Sequence, residues 1–469
     1  MSRPEPSWTT ACMSPGRSSV NPGRTDSKRN LGLRTISRKA QMKGTRTLIS
    51  LMSALGALAF GLPAYAAAPA PPSQATLAAL GKLMFVDPAL SASGTVSCAT
   101  CHAPQNAGLA PNTLPVQLGG GNSGTQGFRN APTTTYALFT PPPAISSDGR
   151  IHGGQMLDGR AADLAAQAVQ PFLSSVEMAN ASSADVRARL QKRPYLQQFE
   201  AAFGATILSN ADATLNAMAQ AIATFERSDP SFQLFSSKFD AYIKGRAKLT
   251  AQEANGLSLF NNAQKGNCSA CHASTSTVSG VPPLFTNFSY HALGVPRNWK
   301  IAYNQDSFVA PAFVPQNGYG LGAPNHKYYD LGACGPFRTD LRGVSTVCGQ
   351  FKVPTLRNTA LKGAYEHNGV FASLQQVLAF YTTRDLNTGA IYKQADGVTA
   401  DIAYNDLPVI YRANVEDPPP FRPLPGKLAR LQPSEVQDII AFLCTLTDGY
   451  DPANPTAYRY PTQCKATLR

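Results

Sequence analysis

Cys98-Ala99-Thr100-Cys101-His102 and, 170 residues further on, Cys268-Ser269-Ala270-Cys271-His272 decide how this chain is read. The Cys-x-x-Cys-His spacing is that of c-type haem attachment. The two thiols join the vinyl groups of one haem, and the adjacent imidazole becomes the proximal iron ligand. A single match in a long chain could be an accident, or half of a zinc site. Two complete matches behind an export signal imply two covalently bound c-type haems. Cys98 and Cys101 would hold one, with His102 on its iron, and Cys268 and Cys271 the other, with His272 on its iron.

The export signal is upstream. Residues 1–41 carry eight Lys/Arg and two acids with no apolar periodicity; Lys43 and Arg46 then precede an apolar run from Leu48 to Gly61. Ala64-Tyr65-Ala66 fits a small-residue cleavage site. The run is shorter than the ~20 residues a membrane span needs. Residues 1–66 therefore read as leader and signal peptide, and the mature chain begins near Ala67 in the periplasm. Met42 offers an alternative start, which would make residues 1–41 a gene-model artefact; the other reading is an overlong leader. Removing 1–66 takes away ten basic and two acidic residues, and the formal charge falls from +13 to +5. The basic balance is mostly leader and gives no argument for nucleic acid.

Nine cysteines are present: Cys12 in the leader, four in the haem motifs, and Cys334, Cys348, Cys444 and Cys464. An even remainder in an exported chain favours two disulfides, and the short separations suggest Cys334–Cys348 and Cys444–Cys464. Free buried thiols are the alternative.

Pro and Gly, 37 of each, suit short helices on long loops. A helix near 74–85 precedes the first motif, and 185–203 and 211–227 show apolar residues at three- and four-residue spacing. Thr250 and Glu253 form a capping-box pattern that opens the helix leading into the second motif. A loop-like stretch over 273–350 follows, then helices at 373–383 and 433–447. The expected fold is mainly α, with two tandem cytochrome c-like domains, each built around one covalently bound haem, and long loops. The boundaries are 67–236 for the N-terminal domain and 237–469 for the C-terminal one.

The second axial position of each iron separates electron transfer from chemistry. All eight methionines lie before residue 219, so the second domain has none of its own to ligate its haem. His291, His326, His367 or a tyrosine remain.

The chain resembles the bacterial diheme cytochrome c peroxidases and their relative MauG. The resemblance runs through Gly81-Lys82-Leu83-Met84-Phe85, Asp87-Pro88, the first haem motif, Arg129-Asn130-Ala131-Pro132-Thr133 and Asp158-Gly159-Arg160-Ala161. It continues through Val176-Glu177-Met178, the second motif, Pro354-Thr355-Leu356-Arg357-Asn358 and Tyr365-Glu366-His367-Asn368-Gly369. It implies that hydrogen peroxide reacts at the N-terminal haem, with Glu177 as acid–base residue and Gln167 in the same pocket. Such a residue takes a proton from bound peroxide and returns it to the leaving oxygen. The family's peroxidases carry a mobile distal histidine before the Arg-Asn-x-Pro segment. Ala103–Arg129 contains no histidine here and includes Gly119-Gly120-Gly121. The first haem is therefore expected to be open to peroxide.

At the second haem the resemblance places Tyr381 where the peroxidases have methionine and MauG has tyrosine. A phenolate ligand would make that haem a store of oxidising equivalents. His367 is expected beside that haem, and His291 near it. The resemblance also implies a calcium ion between the haems, held by the Asn130 side chain and the carbonyls of Lys362 and Ala364. One departure stands out: Leu157 replaces the family's tryptophan between the haems, and the mature chain's only tryptophan is Trp299.

Three functions compete. The first is a periplasmic diheme peroxidase fed by a small cytochrome c or a cupredoxin, in a family that often forms homodimers. The second is a MauG-like oxidase that uses peroxide to oxidise a partner protein. The third is a plain diheme electron carrier, against which Glu177 and the missing distal histidine argue.

Overall fold

Ser73 accepts a hydrogen bond from the Thr76 amide and opens the first helix, α1 (Gln74–Val86), which delivers the chain to the first motif. The computed structural model describes residues 71–305 and 328–465. The leader, its cleavage site and His326 lie outside them. The motif opens as a one-turn helix, α2 (Cys98–Cys101). A loop-rich stretch with two short hairpins follows, pairing Leu118–Gly119 with Thr125–Gln126 and Ala144–Ile145 with Ile151–His152. Then come α3 (Leu164–Leu173), α4 (Ser183–Leu190), α5 (Leu196–Phe203) and α6 (Ala211–Ser228). The stretch expected as one helix over 185–203 is two. Pro194 disfavours helical backbone at the residue before it and lacks the amide that would continue the ladder.

The second half repeats the plan. After α7 (Lys238–Ile243), Thr250 and Glu253 form the expected capping box of α8 (Ala251–Asn261), which leads to the second motif. Glu253 has a further role: its carboxylate accepts from Lys238 Nζ at 2.7 and 2.8 Å and from the Tyr460 hydroxyl at 2.9 Å. The described parts of 273–350 hold only single turns and one strand of a short pair, Tyr290–His291 with Phe351–Lys352. Helices α9 (Leu374–Thr383), α10 (Thr388–Ile391), α11 (Pro433–Cys444) and α12 (Thr462–Lys465) complete the chain. The fold is mainly α, as expected.

One apolar core draws only on residues 80–232, including Met84, Phe85, Phe172, Phe199 and Phe225, and another only on residues 239–464, including Phe260, Phe285, Ile439 and Phe442. Each is built on a close helix crossing made possible by a glycine. A Cβ on Gly81 of α1 would stand 2.0 Å from the Ala221 carbonyl oxygen of α6. A Cβ on Gly256 of α8 would stand 1.9 Å from that of Asp438 on α11. In both halves, the helix preceding the motif is thus pressed backbone to backbone against a later helix.

Cys334–Cys348 and Cys444–Cys464 are bonded, while Cys98, Cys101, Cys268 and Cys271 are free. Both suggested disulfides are present. The thiols of the two motifs are kept apart from them.

Candidate active site

The residues at both motifs fit covalent haem. Four unpaired thiols stand at attachment spacing, and each motif histidine is oriented through its inner nitrogen. His272 Nδ1 lies 2.9 Å from the Phe285 carbonyl oxygen, and His102 Nδ1 lies 3.4 Å from that of Gly108. A carbonyl only accepts, so Nδ1 carries the proton and Nε2 keeps its lone pair for a metal. Burial lowers the pKa of His102 and pushes His272 down to about 4, which holds both rings neutral.

Around the second motif is a cavity of about 470 Å³. Cys268, Cys271, His272, Tyr381, Glu366 and His367 are among its lining residues, with Phe260, Ile439 and Leu443 from the apolar core. Tyr381, expected as an axial ligand, stacks on Phe421 with ring centroids 4.7 Å apart. Burial, reinforced by the charges of Glu366 and the motif thiols, holds its phenol well above the ordinary value. His367 stacks on Phe351 at 3.9 Å, with Nε2 3.5 Å from Asp406. His291 Nδ1 lies 2.7 Å from Glu416, while its Nε2 faces Ser289 Oγ at 2.9 Å and Cys271 Sγ at 3.4 Å. In the sequence Glu366 stands out only as a member of the Tyr365-Glu366-His367-Asn368-Gly369 segment. Burial pushes its carboxyl up to about 6.

At the first motif, Glu177 is half-buried just beyond α3; burial raises the Cys101 and Cys98 thiols, and the Glu177 charge adds to this at Cys101 and, least of the causes, at Cys98. Burial raises the Glu177 carboxyl above its usual range; the Ser174 hydroxyl and the Arg160 guanidinium pull it back in part. Arg160 is itself fixed, donating to Asp158 at 2.9 and 3.0 Å and to Gln170 at 2.6 Å. Asp158 also pairs with Arg129 at 2.8 Å. Gln167 is half-buried on α3, one turn before Gln170.

The glycine run without a histidine lies directly against Glu177. A Cβ on Gly119 would meet the Val176 carbonyl oxygen at 2.4 Å and that of Glu177 at 2.8 Å.

Sequence reasoning missed Glu226 on α6. It is 4% exposed, its Oε2 has no hydrogen-bond partner, and its charge adds to burial in raising Cys98. Burial pushes its carboxyl up to about 8. Its place four residues after Ile222 and eight after Met218, on the buried face of an amphipathic helix, was the available signal.

Leu157 lines the large cavity together with Phe351, whereas the Trp299 indole donates to the Lys393 carbonyl at 2.8 Å. Of the residues expected to hold calcium, the Asn130 side chain is engaged by a cation of the chain itself. Lys362 Nζ donates to Asn130 Oδ1 at 2.8 Å, while the Tyr365 hydroxyl lies nearer the Thr359 carbonyl, at 2.9 Å, than the Lys362 carbonyl, at 3.1 Å. Burial pushes the Lys362 ammonium down to about 8, which leaves it charged at neutral pH.

The fold is that of the diheme peroxidases. The family model for di-haem cytochrome c peroxidases matches residues 75–248. The chain is 38% identical over 335 residues to the methylamine utilization protein MauG of Paracoccus denitrificans, covering 70% of this chain and 80% of that one. It is 27% identical to the cytochrome c551 peroxidase of Nitrosomonas europaea, over 79% and 94% of the two chains. Among solved structures, the diheme peroxidase BthA of Burkholderia thailandensis superimposes with a TM-score of 0.70 at 34% identity, over 80% of this chain and 86% of that one. The chain belongs to the di-haem cytochrome c peroxidase and MauG family, and is a diheme oxidoreductase. Among the described residues, no helix is long and apolar enough to cross a membrane.

Proposed function

We propose that this chain is a periplasmic diheme peroxidase that reduces hydrogen peroxide in domain 67–236, using electrons relayed through domain 237–469. Two electrons and two protons convert one peroxide to two waters. The haems, when bound at the two motifs, supply the redox centre for the O–O bond and the reservoir behind it. The observation that carries this reading is Glu177: a desolvated carboxyl with a raised pKa, beside Cys98 and Cys101, backed by a histidine-free glycine loop. Glu177 takes the proton from one peroxide oxygen and returns it to the other as the bond breaks. Arg160, fixed by Asp158 and Gln170, keeps a positive charge near the acid and favours its ionised form. Gln167 would hold peroxide or water by its amide. The donor is a small cytochrome c or a cupredoxin.

The second reading is a MauG-like oxidase acting on a partner protein. Tyr381 favours it, as a phenol in the cavity that also holds Cys268, Cys271 and His272. Steady-state turnover of peroxide with reduced cytochrome c separates the two. Sustained turnover supports the peroxidase. Negligible turnover with a long-lived oxidised species sinks it in favour of the oxidase.

A further inference from the structure

Asn130 ties the two halves of the molecule together. Its amide donates to the His367 carbonyl at 2.7 Å, and its side-chain Nδ2 donates to the Pro115 carbonyl at 2.8 Å. The loops it joins are in backbone contact: a Cβ on Gly369 would stand 2.2 Å from the Pro115 carbonyl oxygen, and one on Gly363 would stand 2.8 Å from Thr113 Cα. Asn130 is 6% exposed, so Oδ1 also needs a partner. The partner is Lys362 Nζ at 2.8 Å, which reaches on to the Ala131 carbonyl at 3.2 Å.

A calcium ion at this place would need six to eight oxygens at ~2.3–2.6 Å. Here Asn130 Oδ1, the one side-chain oxygen expected to bind it, already faces an ammonium. The space left among Asn130, Ala131, Lys362, Gly363 and Ala364 is about 10 Å³, about what a single water requires. A divalent cation would also be repelled by the lysine charge it had to sit beside.

We propose that the Lys362 ammonium is a built-in cation that takes the place of the calcium between the haem-bearing halves, so that this chain joins them without a metal. The side chain belongs to the 362–369 loop and its two acceptors to Asn130 and Ala131, so the charge-assisted bonds span the junction itself. Loss of calcium cannot loosen a clamp of this kind.

The test uses the purified haem-loaded protein. Calcium is measured by elemental analysis, and melting temperature and ferric absorption spectrum are recorded with added calcium chloride and with a calcium chelator. The expected result is calcium far below one per chain, with neither addition moving the melting temperature or the spectrum. One calcium per chain, or a shift in either readout on chelation, overturns the proposal. Lys362→Met keeps most of the apolar stem and removes the ammonium. It should lower the melting temperature by several degrees, and a variant that melts with the wild type overturns the role given to the charge. None of these readouts uses peroxide turnover, so they stand apart from the fate of the peroxidase reading.

Discussion

The amide of Gly120 donates to the carbonyl of Glu177 at 2.8 Å, which fastens the glycine loop to the candidate acid. The segment in which the family's peroxidases keep a mobile histidine is thus a fixed support for the residue proposed to move the proton. The proposed opening at the first haem and the proposed acid would thus both rest on one local arrangement.

Gly119→Ala tests that arrangement. The new methyl would need to occupy space 2.4 Å from the Val176 carbonyl oxygen, so the Glu177 segment must shift. A displacement of about 1 Å can cost ~10²-fold in rate. Stopped-flow mixing with peroxide should show a large loss with haem content unchanged; an unaltered rate would detach the loop from the chemistry.

Glu177→Gln should slow the reaction with peroxide by ~10²-fold or more. Burial raises the Glu177 pKa above its ordinary 4.5, and the ionised form is the base. The wild-type rate should therefore rise with pH through that raised value. The variant should lack this acid limb, and a near-normal rate in it would remove Glu177 from the mechanism.

Glu226 makes a prediction about stability. Its carboxyl is pushed from 4.5 to about 8 in the folded chain, so the folded state holds the proton more tightly than the unfolded one. The stability this contributes is fully present below about pH 4.5 and is lost as pH rises through about 8. The loss should be on the order of 5 kcal/mol. Glu226→Gln should flatten the melting-temperature profile over that window. A wild-type profile already flat there would contradict the buried, unpaired acid.

Tyr381→Phe should change the ferric spectrum of the second haem and leave that of the first in place. An unchanged spectrum would exclude the phenol as an axial ligand. The same comparison made with Glu366→Gln asks whether the neighbouring charge tunes the second site.

Much of this was legible in the chain because it was written in local signals. The motif pairs, the helix before each, the Thr250–Glu253 capping box and the two disulfides depend on short spacings, and all are where those spacings put them. The break at Pro194 and the helix α3 were missed. The first was hidden under continuous apolar periodicity. The second has Pro171 inside it, which reads as a helix breaker although it stands near the end. At the site, Glu177 was found by resemblance. Its neighbours Arg160 and Gln170, and Glu226 across the motif, come together only in three dimensions. The expected calcium donors were judged by residue position, and that could not show a lysine side chain folding back onto Asn130 Oδ1.

The paired glycines, Gly81 against Ala221 and Gly256 against Asp438, have a practical consequence. Each crossing sets the placement of one attachment motif and leaves the other to its own helices. A methyl added at either glycine would wedge apart one crossing, while the opposite half reported on the same sample as an undisturbed standard. The protein thus carries its own internal reference for assigning each spectral band to one iron or the other.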